Sequence, residues 1–139
     1  MKRTLMAFAA AVTTMLVPVA TVQAQSTVAV YQIPFNFTAE GVTLASGKYT
    51  MQHDVAKQFQ NLRSARGSGI FLPAGPQLSG TTGAKLVFHK YGERYFLAQV
   101  WDTNGTGRNM PVSKEERELT RNPSMAKASF EQITLLAQR

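Results

Sequence analysis

Two histidines, His53 and His89, carry the only imidazoles in this chain, and there is no cysteine. His53 is followed directly by Asp54. His89 lies in the stretch Leu86 to Trp101, LVFHKYGERYFLAQVW, with Glu93 and Arg94 four and five residues on. Such pairs raise three chemistries: nucleophilic catalysis, a metal site and carboxylate acid–base work. A Ser-His-Asp triad needs three groups converging in space, with the nucleophile on a strained, exposed turn. The chain has no Gly-x-Ser-x-Gly elbow. Adjacent strand residues also point to opposite faces, so Asp54 is badly placed to orient His53, which reads as an exposed strand residue. A metal site would need both histidines on neighbouring strands with Asp54 or Glu93. Two unpaired histidines are a weak donor set, and the missing cysteines remove thiolate zinc sites and thiol catalysis.

Phosphate loops fail on their spacing. GVTLASGK has five residues between its glycines, and Tyr49 stands where a magnesium-binding hydroxyl is needed. GSGIFL carries leucine at the third glycine of the dinucleotide fingerprint. The carboxylates left for glycoside hydrolysis are Glu40, Asp54, Glu93, Asp102 and Glu131, mostly at turns, where charge is solvated by default. Glu115, Glu116 and Glu118 are expected on an exposed helix. No catalytic, cofactor-binding or metal-binding residue is therefore assigned, and no cofactor is expected. The best binding feature is aromatic. Tyr91, Tyr95, Phe96 and Trp101 could line a sheet face that stacks on sugars or an apolar ligand, if they are not core residues instead.

The elements that would position these residues are strands. β-Branched and aromatic segments alternate with turn signals at short spacing, the pattern of an all-β domain. Tyr31, Ile33, Phe35 and Phe37 share one face, with Pro34 marking an edge or a break. Leu44 to Gly47 is a turn. Tyr49 and Met51 point one way in the next strand, and Phe59 and Leu62 are expected inward in the third. Ile70 to Leu72 is short and apolar, Pro73 to Gly83 reads as a mobile loop, and a further strand is expected near Arg108 to Val112. Asn104-Gly105 is a hairpin turn. Ser113-Lys114-Glu115-Glu116 is a capping box opening a helix from Lys114 to about Arg121, anchored by Leu119 alone. Ser129 to Gln138 closes the chain as a strand with Ile133 and Leu135 inward. The expected fold is an antiparallel β-sandwich or small β-barrel of about seven or eight short strands, with one short surface helix near 114–121.

The central stretch yields the sharpest expectation. A primed two-residue turn at Gly92-Glu93 pairs residues whose numbers sum to 185. Phe88 then faces Leu97 and Leu86 faces Gln99 on one side. His89 faces Phe96 and Val87 faces Ala98 on the other. Glu93 stays in water, away from His89.

The N-terminus has a different character. Lys2 and Arg3 precede an apolar run from Leu5 to Val19, broken by Pro18. Val22 and Ala24 then suit a signal peptidase. Residues 1–24 are read as a secretory signal peptide cut after Ala24, and residues 25–139 as one domain. No later segment is long and apolar enough to span a bilayer as a helix. Without Lys2 and Arg3 the chain keeps 13 of its 15 Lys+Arg against 8 Asp+Glu, a net charge of +5. The basic residues are scattered rather than blocked, which argues against nucleic acid. An exported, cysteine-free domain suits the bacterial periplasm or exterior. There the sequons at Asn36 and Asn104 carry no meaning.

Four segments carry a resemblance: Pro34-Phe35-Asn36-Phe37, Leu44 to Tyr49, Phe88 to Phe96 and Ser113 to Leu119. Together the chain resembles a family of small secreted proteins from soil bacteria, for which no activity is known. The resemblance covers most of the mature chain and implies export and an all-β fold. It assigns no residue a role. The expected function is a non-enzymatic binding or scaffold domain, its partner an envelope polysaccharide, an anionic surface or another envelope protein. The alternatives are a carrier of a small apolar ligand within a barrel, and a hydrolase of envelope polymers.

Overall fold

A computed structural model describes residues 27–54, 59–72, 75–122, 124 and 130–138. The leader and its cleavage site lie outside the described residues. In chain order the elements are β1 (Thr27–Ile33), β2 (Phe37–Ala39), β3 (Val42–Leu44), β4 (Gly47–Asp54), β5 (Phe59–Ser64), β6 (Gly69–Leu72), β7 (Gln77–Ser79), β8 (Lys85–Tyr91), β9 (Arg94–Trp101), β10 (Thr106–Asn109), α1 (Lys114–Thr120) and β11 (Phe130–Leu136). The described strands number eleven, more than the seven or eight expected, because β2, β3 and β7 are three-residue pieces too short to show a period. β7 lies inside the stretch expected to be a loop. It pairs with β10 despite its turn-rich surroundings.

The strands form two open sheets. The smaller runs β1-β4-β5-β6. The larger runs β11-β8-β9-β10-β7, with β2 and β3 attached beside β9. Neither closes, so the fold is a sandwich rather than a barrel; a single bridge, Val30 to Gln138, joins their edges at one corner. β1 ends at Ile33 because Pro34 cannot donate to a ladder. Alternation does the rest. Tyr31, Ile33, Tyr49, Met51 and Leu62 face the larger sheet, and Leu86, Phe88, Leu97 and Val100 face back. A chain of rings links the layers. Phe88 meets Phe35 edge-on at 5.1 Å and Phe37 at 5.4 Å, and Phe37 meets Tyr49 of the smaller sheet at 5.4 Å. In β5 the inward positions belong to Gln60 and Leu62, residues two apart. The expectation for Phe59 concerns a side chain outside the described residues.

The central hairpin follows the expected register for half its length. Gly92 opens the turn with φ +61°. Tyr91 pairs with Arg94, His89 with Phe96 and Phe88 with Leu97. Beyond Phe88 the ladder slips by one residue: Val87 pairs with Gln99 and Leu86 with Val100. Ala98 is the extra residue of a β-bulge, and its carbonyl accepts from the Met110 amide at 2.8 Å. The slip corrects the expected Leu86–Gln99 and Val87–Ala98 pairs. It turns both Leu97 and Val100 into the core and leaves Gln99 outside, because one residue of register inverts every side chain that follows.

The same slip sends Trp101 to the outer face. There it lies between Lys85 and Gly107 in the neighbouring strands. Lys85 Nζ sits 4.7 Å from the ring centroid, and the indole N–H donates to Gln99 Oε1 at 3.1 Å. Only glycine leaves room for the ring: a Cβ on Gly107 would stand 2.5 Å from it, and one on Gly80 2.7 Å. Gly107→Ala is expected to cost about 1–3 kcal/mol through overpacking. Urea unfolding followed by the emission of the single tryptophan measures it.

Candidate functional site

The outer face of the larger sheet has a small apolar floor of its own. Val87, Phe96 and Ala98 are buried there, apart from the core between the sheets. Helix α1 docks beside this floor. Ser113 caps it in extended conformation, and its side chain accepts from the Glu116 amide at 3.1 Å. At seven residues the helix is too short to persist on propensity alone, so its contacts with the sheet must hold it.

Those contacts are polar. Glu116 is the buried residue of α1, 5% exposed, while Leu119 is only half-buried. This overturns the expectation of a helix whose glutamates all face water and whose sole anchor is Leu119. Glu116 Oε1 lies 2.7 Å from His89 Nδ1, and the Tyr91 hydroxyl donates to the same oxygen at 3.2 Å. When the carboxylate is ionised it only accepts, and the imidazole then donates to it from Nδ1. Phe130 packs 5.3 Å from the His89 ring and 5.4 Å from Tyr91, which also meets Phe96 at 6.0 Å. Burial first, then the charge of Glu116 and its hydrogen bond, push the Tyr91 phenol from its ordinary 10.0 up to about 12.

This is the orienting half of a catalytic arrangement: a carboxylate aligning a histidine. Among the described residues no hydroxyl or thiol is hydrogen-bonded to that histidine, and no group of three or more metal-binding side chains converges on it. The cluster works as a clamp between helix and sheet. Glu93 stays in the turn, exposed, as expected from the register.

The remaining candidates are scattered. His53 points inward rather than outward and pairs with Gln60 across the ladder. Its Nδ1 and Gln60 Oε1 are buried without partners beside a void of about 10 Å³. Asp102 accepts from the Asn104 and Thr106 amides at 2.8 and 2.9 Å, shaping the β9–β10 turn. Glu131 pairs with Lys90 at 3.2 Å, and Glu40 occupies the β2–β3 turn at φ +51°. The four aromatic candidates do not form one open platform. Tyr91 is held by Glu116, and Phe96 is buried. Tyr95 stacks flat on Phe35 at 3.8 Å, and Trp101 lies under Lys85.

Glu116 is the residue that sequence reasoning set aside. The signal was there: Glu116 and Leu119 are three apart and share a helix face, so the side carrying the apolar anchor also carries this carboxylate. Comparison with protein-family models, curated proteins and solved structures found no match to this chain.

Two tyrosines make the alkaline limb of stability readable. Burial pushes Tyr31 up to about 12, as Tyr91 is. A phenol held protonated in the fold stabilises it fully below the ordinary 10.0, and that contribution disappears as pH rises through about 12. Unfolding free energy is therefore expected to fall above pH 10. Glu116→Gln should bring the Tyr91 titration down towards its ordinary value, leave Tyr31 in place and cost about 1–3 kcal/mol. Ultraviolet titration of the phenols together with urea unfolding checks both effects.

Proposed function

We propose that this chain is an exported, non-enzymatic β-domain that binds or scaffolds a component of the bacterial periplasm or exterior. The observation that carries this reading is the close-packed core between the two sheets among the described residues. The void beside His53, about 10 Å³, has room for about one water molecule and none for an apolar cargo. That weighs against the carrier alternative. A hydrolase needs a nucleophile or an acid–base pair open to substrate. The one titratable trio joined by hydrogen bonds among the described residues, His89, Glu116 and Tyr91, bonds to itself across helix and sheet, and Glu93, Glu115 and Glu118 around the groove beside α1 are exposed with no histidine or nucleophile bonded to them. What remains is surface recognition, with an envelope polysaccharide, an anionic surface or another envelope protein as partner.

Export rests on the leader-like N-terminus and on the resemblance to small secreted proteins of soil bacteria. None of the described helices is long and apolar enough to cross a membrane.

Expression in a bacterial host with the full chain tests the reading. The exported protein is expected to begin at Gln25 by N-terminal sequencing. Native mass spectrometry is expected to show no stoichiometric small apolar ligand. An uncut chain retained in the cytoplasm would overturn export, and a co-purifying lipid at one per chain would restore the carrier.

A further inference from the structure

The outer face of the four-stranded sheet is engaged by nothing described above. Its strands pair in unbroken register, with no bulge between β1, β4, β5 and β6. The face is therefore a regular, open ladder. Alternation places Gln32, Lys48, Gln52, Asn61, Arg63 and Phe71 on it, and all of these but the half-buried Asn61 are exposed.

Charge on this face is one-sided. Thr50 pairs with Arg63, so Lys48 is the diagonal neighbour of Arg63, about 7–8 Å away in a regular ladder. Arg66 follows in the β5–β6 turn, where its charge acts on the inward-facing Tyr49 phenol rather than on this face. The ion pairs among the described residues, His89 with Glu116 and Lys90 with Glu131, both belong to the other sheet and its helix. Glu93, Glu115 and Glu118 also lie on that side, around the groove next to α1. Asp54 lies six residues beyond Lys48, roughly 20 Å along the strand. Two cations, Lys48 and Arg63, thus stand together on a flat face, and among the described residues no carboxylate is paired to them.

The neighbours of these cations narrow the partner. Gln32 is opposite Lys48, and Gln52 is opposite Asn61. These amides both donate and accept, which suits hydroxyls. Phe71 is opposite Asn61 and 72% exposed, an aromatic face offered to the edge of the ladder. A membrane would need contiguous apolar side chains to insert. Here the exposed apolar residues, Phe71 and Val28, sit on opposite edge strands with polar residues between them.

We propose that this face binds an acidic polysaccharide strand. Its carboxylates or sulfates lie over Lys48 and Arg63, its hydroxyls meet the amides, and one sugar ring packs on Phe71. The proposal rests on the binding-domain reading and narrows it to one surface and one polymer class.

The test uses the mature protein with oligogalacturonate, a neutral galactan oligomer and anionic phosphatidylglycerol vesicles as probes, read by titration calorimetry and amide shifts. Oligogalacturonate is expected to bind, with shifts confined to β1, β4, β5 and β6 and affinity falling as salt rises. Lys48→Ala with Arg63→Ala should weaken it about tenfold or more, and Phe71→Ala several-fold. All three side chains are exposed, so the fold is expected to survive, as far-ultraviolet circular dichroism would show. Equal affinity for the neutral oligomer, shifts mapping to the α1 side, binding to vesicles alone, or no binding would each overturn the assignment. Envelope extract then separates the two readings. Saturable binding of a non-uronate polymer at another surface would sink this inference and keep the binding domain, whereas cleavage of the oligomer would sink the binding domain itself.

Discussion

The bulge at Ala98 is the constraint on which most of the structure depends. A two-residue turn at Gly92 sets the hairpin in one register, and that register alone would put Gln99 into the core and Val100 into water. The extra residue reverses this halfway along β9. Below it, Phe88 and Leu97 meet the ring chain that joins the two sheets. Above it, Leu86 and Val100 close the far end of the core. The same inversion puts Trp101 outside, where Gly80 and Gly107 leave it room. With no disulfide to hold the sheets together, this packing must supply the stability unaided.

The helix is attached by a different kind of force. A seven-residue helix with one half-buried leucine gains little from apolar burial. Its buried carboxylate instead meets an imidazole and a phenol on β8. Burying that charge is costly unless it is hydrogen-bonded, and both bonds converge on one oxygen. Such an anchor adds less net stability than a leucine would, but it is more selective. It specifies where the helix sits, because only one strand offers a histidine and a tyrosine two residues apart on the same face.

Alternation made much of the fold legible. Tyr49 and Met51, Ile133 and Leu135, and the break at Pro34 follow directly from a period of two and from proline's missing donor. The helix came from its cap, Ser113, whose geometry is local. Three-residue strands such as β7 were invisible because a period cannot be read from three positions. His53 was misplaced for a related reason. Its inward position follows from parity with Met51, but a polar residue on an apolar face looks like a surface residue until its neighbours are known.

By itself, the sequence determined which residues could alternate into a core, where turns and a helix must start, and that no cysteine chemistry is open to this chain. These are local properties, set by each residue's own backbone preferences and those of its near neighbours. Only the tertiary structure decided that Ala98 bulges, that Glu116 rather than Glu93 meets His89, and that Lys48 and Arg63 become diagonal neighbours on an open face. Each of these depends on strands distant in the chain lying side by side. No spacing along a single strand encodes which partner will stand opposite, or by how many residues their ladder will slip.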